Sequence, residues 1–165
     1  LTTESRALRT GIGFDAHRLV EDRALVLGGI RITHARGLAG HSDGDVLLHA
    51  IADAVLGALA LPDIGTRFPD TDPAHKDADS KVLLRDVLNE VGKARYRVVN
   101  LDCILVCDSP TIGPYSMAMR ESIAELVGVP ADAVGLQAKT TEGTRLAIEN
   151  ESIAAFATVL LTRSE

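Results

Sequence analysis

The stretch His41-Ser42-Asp43-Gly44-Asp45-Val46-Leu47-Leu48-His49-Ala50-Ile51-Ala52-Asp53-Ala54-Val55-Leu56-Gly57-Ala58-Leu59-Ala60-Leu61-Pro62 organises the rest of the chain. Over 44–61, apolar residues fall on every side of a helical wheel. A helix there must be covered nearly all round. Ser42 or Asp43 supplies an N-cap, and Pro62 ends the helix. Covering elements are visible on both sides of it. Residues 9–15 read as a strand, and 24–29 as a second apolar run closed by Gly28-Gly29, with 30–33 as its hairpin arm. Residues 80–91 form a second helix stopped by Gly92, and 114–127 a third, opened by Pro114 and stopped by Gly128. Residues 98–107 and 134–140 are strands. Residues 152–161 are Val/Ile/Ala-rich and read as a buried strand, with a helix as the alternative. The order β-β-α-α-β-α-β-β predicts an α+β fold, a two-layer α/β sandwich with a mostly antiparallel sheet packed on helices.

On this helix Asp45, His49 and Asp53 recur at i, i+4 and i+8, a polar stripe where everything else avoids water. That conflict marks a site. The expectation is that Asp45 and Asp53 orient His49. A second segment, Gly11-Ile12-Gly13-Phe14-Asp15-Ala16-His17, reads as a strand end. Its Asp15 and His17 are two apart and leave the same face. One carboxylate and two imidazoles fill three positions around a zinc ion and leave the fourth open, the pattern of a catalytic metal. The alternative is a set of structural hydrogen bonds. Non-haem iron oxygenases use the same ligand types, but usually on all-β scaffolds rather than under a long buried helix.

His41 and Ser42 precede a helix N-terminus, where backbone N–H groups favour an anion such as phosphate; simple capping is the plainer alternative. Glu142, in Lys139-Thr140-Thr141-Glu142 at a strand end, can hold a second, harder cation such as Mg²⁺, or be merely solvated. His34 and His75 read as surface residues. Gly11-Ile12-Gly13 lacks the third glycine and following helix of a dinucleotide fingerprint.

The 165 residues suffice for one domain, expected over 9–165 after a disordered tail at 1–8. Apolar residues make up 46%, aromatics only 3%, and Trp is absent, so the core must be aliphatic and no base-stacking platform is on offer. A net charge of −6 with no basic run argues against nucleic acid as a partner. No apolar stretch reaches the roughly 20 residues of a membrane span, and no signal peptide is visible in a sequence that starts at Leu1 without Met. Cys103 and Cys107 lie on one strand, about 13 Å apart. A disulfide wants Cα atoms roughly 4.4–6.8 Å apart. They read as buried thiols of a reducing compartment.

Taken together, these segments resemble the 2-C-methyl-D-erythritol 2,4-cyclodiphosphate synthases. The likeness is carried by Gly13 to His17, His41 to Ala50, Asp63-Ile64-Gly65, Phe68-Pro69-Asp70-Thr71-Asp72-Pro73, Asn100-Leu101-Asp102 and Lys139 to Glu142, collinear from about Arg9 to Leu161. The resemblance implies a homotrimeric subunit with active sites between neighbours. It implies conversion of 4-diphosphocytidyl-2-C-methyl-D-erythritol 2-phosphate to the 2,4-cyclodiphosphate and CMP in non-mevalonate isoprenoid biosynthesis. By the same resemblance Asp15, His17 and His49 bind Zn²⁺, and Glu142 binds Mg²⁺ or Mn²⁺ on the diphosphate. His41 and Thr140 stabilise the transition state, and Ser42 meets substrate phosphate. Asp63 and Gly65 hold substrate hydroxyls. The loop with Phe68, Asp70 and Asp72 closes over the methylerythritol part. Cys107, Pro110 and Gly113 frame the cytidine with Lys139 and Thr141. The compartment implied is bacterial cytoplasm or plastid stroma.

Three positions depart from the family pattern. Thr111 follows Pro110 where Lys is frequent. Glu149 stands in 148–152 where many members carry Gly-Arg-Gly-Glu-Gly. Leu146 stands where an aromatic is common. The altered 148–152 stretch leaves room for a second reading, a non-catalytic trimer that binds isoprenoid diphosphates between subunits.

Overall fold

The computed structural model describes residues 8–69, 71–72, 78–144 and 151–164. Five strands form one sheet in the order β4-β1-β7-β5-β6. They are β1 (Leu8–Val20), β4 (Gly37–Leu38), β5 (Tyr96–Val106), β6 (Val134–Lys139) and β7 (Ser152–Arg163). The sheet is mixed: β4, β1, β7 and β5 pair antiparallel, whereas β5 and β6 pair parallel. The hairpin β2 (Leu25–Leu27) and β3 (Ile30–Ile32) stands apart. Gly28 and Gly29 both have positive φ in its two-residue turn, which is why glycines occupy it.

The helices are α1 (Val46–Ala58), α2 (Ile64–Arg67), α3 (Ser80–Lys93) and α4 (Ser116–Val127). Eleven of the thirteen α1 residues are buried, as its all-round apolar pattern requires. It packs on β1 and β7 on one side and α3 on the other. The seam with β1 is unusually close. A Cβ on Gly13 would lie 2.0 Å from the Ala50 carbonyl oxygen, and one on Gly11 1.9 Å from that of Ala54. Glycine at these two strand positions lets helix backbone rest on strand backbone.

The expected elements are present, with differences at their ends. The first strand runs on to Val20, so Asp15 and His17 sit inside it rather than at its end. The cap of α1 is Asp45, neither Ser42 nor Asp43. Helix α3 passes through Gly92 to Lys93, while α4 stops at a left-handed Gly128 as its sequence predicts. Residues 152–161 are strand. The 63–69 segment, for which no element is expected, contains the one-turn α2.

The side chains of β1 alternate faces. Positions 11, 13, 15, 17 and 19 turn toward α1. Leu8, Ile12 and Phe14 on the opposite face stay 62%, 71% and 52% exposed. Phe14 stacks on Phe156 of β7 with ring centroids 4.7 Å apart. Among the described residues no helix is long and apolar enough to cross a membrane.

Candidate active site

The alternation that turns Gly13 toward α1 turns Asp15 and His17 the same way, one and two strand repeats further on. Helix α1 presents His49 to them. One donor atom from each of the three lies within 4.8 Å of the others. Asp15 Oδ2 is 3.0 Å from His49 Nδ1 and Asp15 Oδ1 is 3.4 Å from His17 Nδ1. The two imidazoles meet edge to face, with centroids 5.2 Å apart. A tetrahedral ion with bonds of about 2.0–2.1 Å sets its ligand atoms about 3.3 Å apart. The three donors are thus within reach of one divalent ion.

His49 is buried and held from behind. Its Nε2 is 2.9 Å from Ser80 Oγ and 3.2 Å from Ser42 Oγ. Burial works against a charged ring, but the hydrogen bond to Asp15 and the charges of Asp15, Asp45 and Asp43 outweigh it. The His49 pKa is held above its ordinary value. A positively charged ring, or a cation beside a neutral one, is what this carboxylate-rich setting stabilises.

These residues line a pocket of about 210 Å³. The connection from β4 to α1 supplies Gly40, His41 and Ser42. Helix α2 and its cap supply Ile64, Gly65 and Phe68, and α3 supplies Leu83. The walls are fixed by contacts that sequence spacing does not show. Arg23 donates to the Gly40 carbonyl at 2.7 Å and to that of Ser42, pinning the loop. Arg67 ties α2 to α3 through Asp86 at 2.9 Å and Glu90 at 2.8 Å. The Asp72 carbonyl lies 3.2 Å from His41 Nε2.

Two expected roles are corrected. The Asp45 and Asp53 carboxylates bond to backbone amides, not to the His49 ring. Asp45, fully buried, accepts N–H bonds from Gly28 at 2.9 Å, Gly29 at 2.6 Å and Leu48 at 3.1 Å. It clamps the start of α1 to the β2–β3 turn. Burial pushes its carboxyl up, and these three donors pull against that. Asp53 accepts from the Ile64 amide at 2.7 Å and so anchors α2. The residues on His49 Nε2 are Ser42 and Ser80 instead.

The other expected residues form a second group. Asp63 caps α2, accepting from the Thr66 amide at 2.7 Å, at the edge of a neighbouring pocket with Asp53 and Phe14. Asp108 joins the 107–113 segment to the 139–142 segment. It accepts from the Thr141 amide at 2.7 Å and from the Thr141 hydroxyl at 2.8 Å. Thr141 is thereby buried and committed. The Cys107 amide donates to the Lys139 carbonyl at 2.8 Å, and its thiol donates to the Pro110 carbonyl at 3.5 Å. Burial pushes Cys107 up to about 11 and Cys103 to about 12, so neither offers a thiolate near neutrality. Thr140, Glu142, Lys139 and Gly113 are exposed, and the Thr140 hydroxyl donates to Glu142. Asp70, Leu146 and Glu149 lie outside the described residues.

The register measures how far apart the two groups are. Asp15 pairs with Ala155, Ala155 with Leu105, and Leu105 with Ala138. Asp15 and Ala138, two residues before Thr140, are thus level along the strands but three strand spacings apart, about 14 Å.

Comparison with known proteins shows the family of the chain. The chain matches the YgbB family over residues 8–162. It is 51% identical over 155 residues to the 2-C-methyl-D-erythritol 2,4-cyclodiphosphate synthase of Bordetella avium, covering 94% of this chain and 96% of that protein. It is 52% identical over 158 residues to the synthase of the same name from Moorella thermoacetica, covering 96% and 97%. A solved 2C-methyl-D-erythritol-2,4-cyclodiphosphate synthase in its CDP-bound form superposes with a TM-score of 0.86 at 40% identity, over 93% of this chain and 99% of that one. The chain belongs to the YgbB family and, like the synthases it matches, is an enzyme, a lyase of isoprenoid biosynthesis.

Proposed function

We propose that the enzyme converts 4-diphosphocytidyl-2-C-methyl-D-erythritol 2-phosphate to 2-C-methyl-D-erythritol 2,4-cyclodiphosphate and CMP. The observation that carries this reading is the Asp15–His17–His49 cluster at the wall of a pocket whose next residues are His41 and Ser42. An oxygen of the 2-phosphate attacks the β-phosphorus. The bond from that phosphorus to the oxygen bridging the α-phosphate breaks, and CMP leaves with the electron pair. The nucleophile is already anionic, so no general base is required, in keeping with the absence of a usable thiolate among the described cysteines.

The chemical difficulty is bringing two anions together. Zn²⁺ held by Asp15, His17 and His49, with Mg²⁺ or Mn²⁺ at Glu142, would neutralise phosphate oxygens there. The chain's own groups do the positioning. The Ser42 hydroxyl and the imidazole of His41 offer hydrogen bonds to a phosphate. Gly65 and Asp63 at the α2 cap address substrate hydroxyls, and Phe68 with Asp72 borders the sugar-like end. Thr140 donates to the developing charge, a contribution of roughly 3 kcal/mol for a well-aimed donor. Lys139, Cys107, Pro110 and Gly113 border the cytidine. CDP in the bound form of the superposed synthase supports a cytidine nucleotide as ligand.

The 14 Å between the two residue groups argues for a site shared by two copies. The apolar outer face of Leu8, Ile12 and Phe14 supports an assembly that covers it, and we take the assembly to be a homotrimer of a single domain spanning 9–165. Bacterial cytoplasm or plastid stroma is the matching compartment.

The test is CMP release from the cytidylyl substrate by metal-loaded protein. His49→Ala is expected to lose most bound zinc and nearly all turnover, while Glu142→Gln keeps zinc and loses its Mg²⁺ dependence. Full CMP release by zinc-depleted His49→Ala protein would refute the ligand assignment.

A further inference from the structure

His49 has one nitrogen in the pocket and one in the protein. Nδ1 faces Asp15 at 3.0 Å, whereas Nε2 faces Ser80 Oγ at 2.9 Å. An imidazole can serve as a ligand through Nδ1 only if its proton is on Nε2. Which nitrogen carries the proton is therefore decided by what Ser80 offers.

Ser80 is only 1% exposed and opens α3, thirty-one residues from His49. It has one hydroxyl proton, and that proton goes to the Asp43 carboxylate. The opposite direction is chemically closed, because an ionised carboxylate only accepts. The Ser80 amide binds the other oxygen of Asp43 at 3.2 Å. The Asp43 amide in turn donates to the Ala78 carbonyl at 3.0 Å, and the Asp45 amide donates to Asp43 at 3.1 Å. The pair is thus locked. With its proton committed, Ser80 Oγ has only lone pairs left to turn toward His49.

We propose that Asp43 and Ser80 are positioning residues that set the tautomer of His49: Asp43 takes the Ser80 proton, Ser80 accepts Nε2–H, and Nδ1 is left as a lone pair aimed into the pocket. Ser42 Oγ, which already accepts from the Gly44 amide at 3.2 Å, shares the Nε2–H at 3.2 Å. The polarity of the relay comes from the charge of Asp43, not from its shape. In Asp43→Asn the amide can donate to Ser80. The serine hydroxyl then turns to His49 Nε2, the ring proton moves to Nδ1, and Nδ1 donates to Asp15 instead of binding a cation. An isosteric change 37 residues from Ser80 in sequence would switch off a ligand it does not touch.

This inference rests on the proposed metal reading, and the experiment separates the two. Zinc affinity is measured by chelator competition on the full chain for the unaltered protein, Ser80→Ala and Asp43→Asn, with thermal melts to confirm folding. Histidine ¹⁵N spectra of the cadmium-loaded proteins identify the ligating nitrogen by its coupling to ¹¹³Cd. The unaltered protein is expected to bind through Nδ1 with a slowly exchanging Nε2–H. Both variants are expected to bind zinc roughly 10–100-fold more weakly, the usual cost of losing such a partner, and to lose that protected proton. Unchanged zinc affinity and an unchanged Nε2–H signal in both folded variants would overturn the relay. If the unaltered protein holds no zinc, the metal reading falls. The relay falls with it, because without an ion the Asp15 carboxylate claims the Nδ1 proton, whereas zinc bound equally well by all three proteins overturns the relay alone.

Discussion

A carboxylate at the head of a one-turn helix carries much of the order in that turn, and Asp63 is placed so. Its bonds from Thr66 draw its pKa below the usual carboxylate range. Folding thus favours the ionised form. The cap is fully present above the ordinary aspartate range and is lost as pH falls through the lowered value. The Thr66 amide resonance is expected to titrate with a midpoint below the ordinary aspartate value of about 3.9, and in Asp63→Asn that titration should vanish. A midpoint at the ordinary value would mean the bond does not form in solution. Residue identity in this chain was legible where chemistry is local. Asp15 and His17 two apart on a strand, and His49 on a buried helix, announced a ligand set. The partners of His49 were not legible, because Ser80 arrives from another helix. Asp45 misled for a physical reason. A capping side chain folds back over the first turn instead of standing in phase with i+4, so it cannot line up with the residue one turn on.

Among the elements, the β1–α1 contact is the least forgiving. With the Ala50 carbonyl 2.0 Å from where a Cβ would sit, Gly13→Ala must push α1 away from the sheet, and His49 travels with α1. It is expected to destabilise by about 1–3 kcal/mol and to weaken metal binding. Gly92 is the control. A Cβ there meets nothing within 4 Å, and it sits within α3, so Gly92→Ala is expected to stabilise by roughly 0.5–1 kcal/mol. Urea unfolding checks both; equal effects would show that the seam relaxes freely. The helices and long strands were readable from their periods. The last residues of β1, 18–20, were not, because the polar Asp15 and His17 on its inward face interrupt the apolar alternation before them. Helix α2 escaped because four residues carry no period, and it is propped from outside by Asp53 and, through its own Arg67, by Asp86 and Glu90.

For the whole molecule, a metal that joins β1 to α1 binds the folded state alone and stabilises it by mass action. Zinc at a hundred times its dissociation constant contributes about 2.7 kcal/mol, which for a chain this size corresponds to about 5–10 °C in Tm. Scanning calorimetry with a chelator, then with zinc restored, is expected to show that shift and its reversal. A Tm indifferent to both treatments would mean the cluster holds no ion in the native state. Sequence also exposed the α+β class and the aliphatic core. It did not expose the parallel β5–β6 pairing, since strand direction depends on the path taken by α4 between them. The strand lying between β1 and β5 is β7, which leaves the ribosome after both. Neither of its neighbours can zip to it until Ser152 and the residues after it have emerged, and the greasy α1 waits without that part of its platform. Nascent chains should therefore lean on holdases, and a stall before Ser152 should leave a polypeptide fit only for degradation.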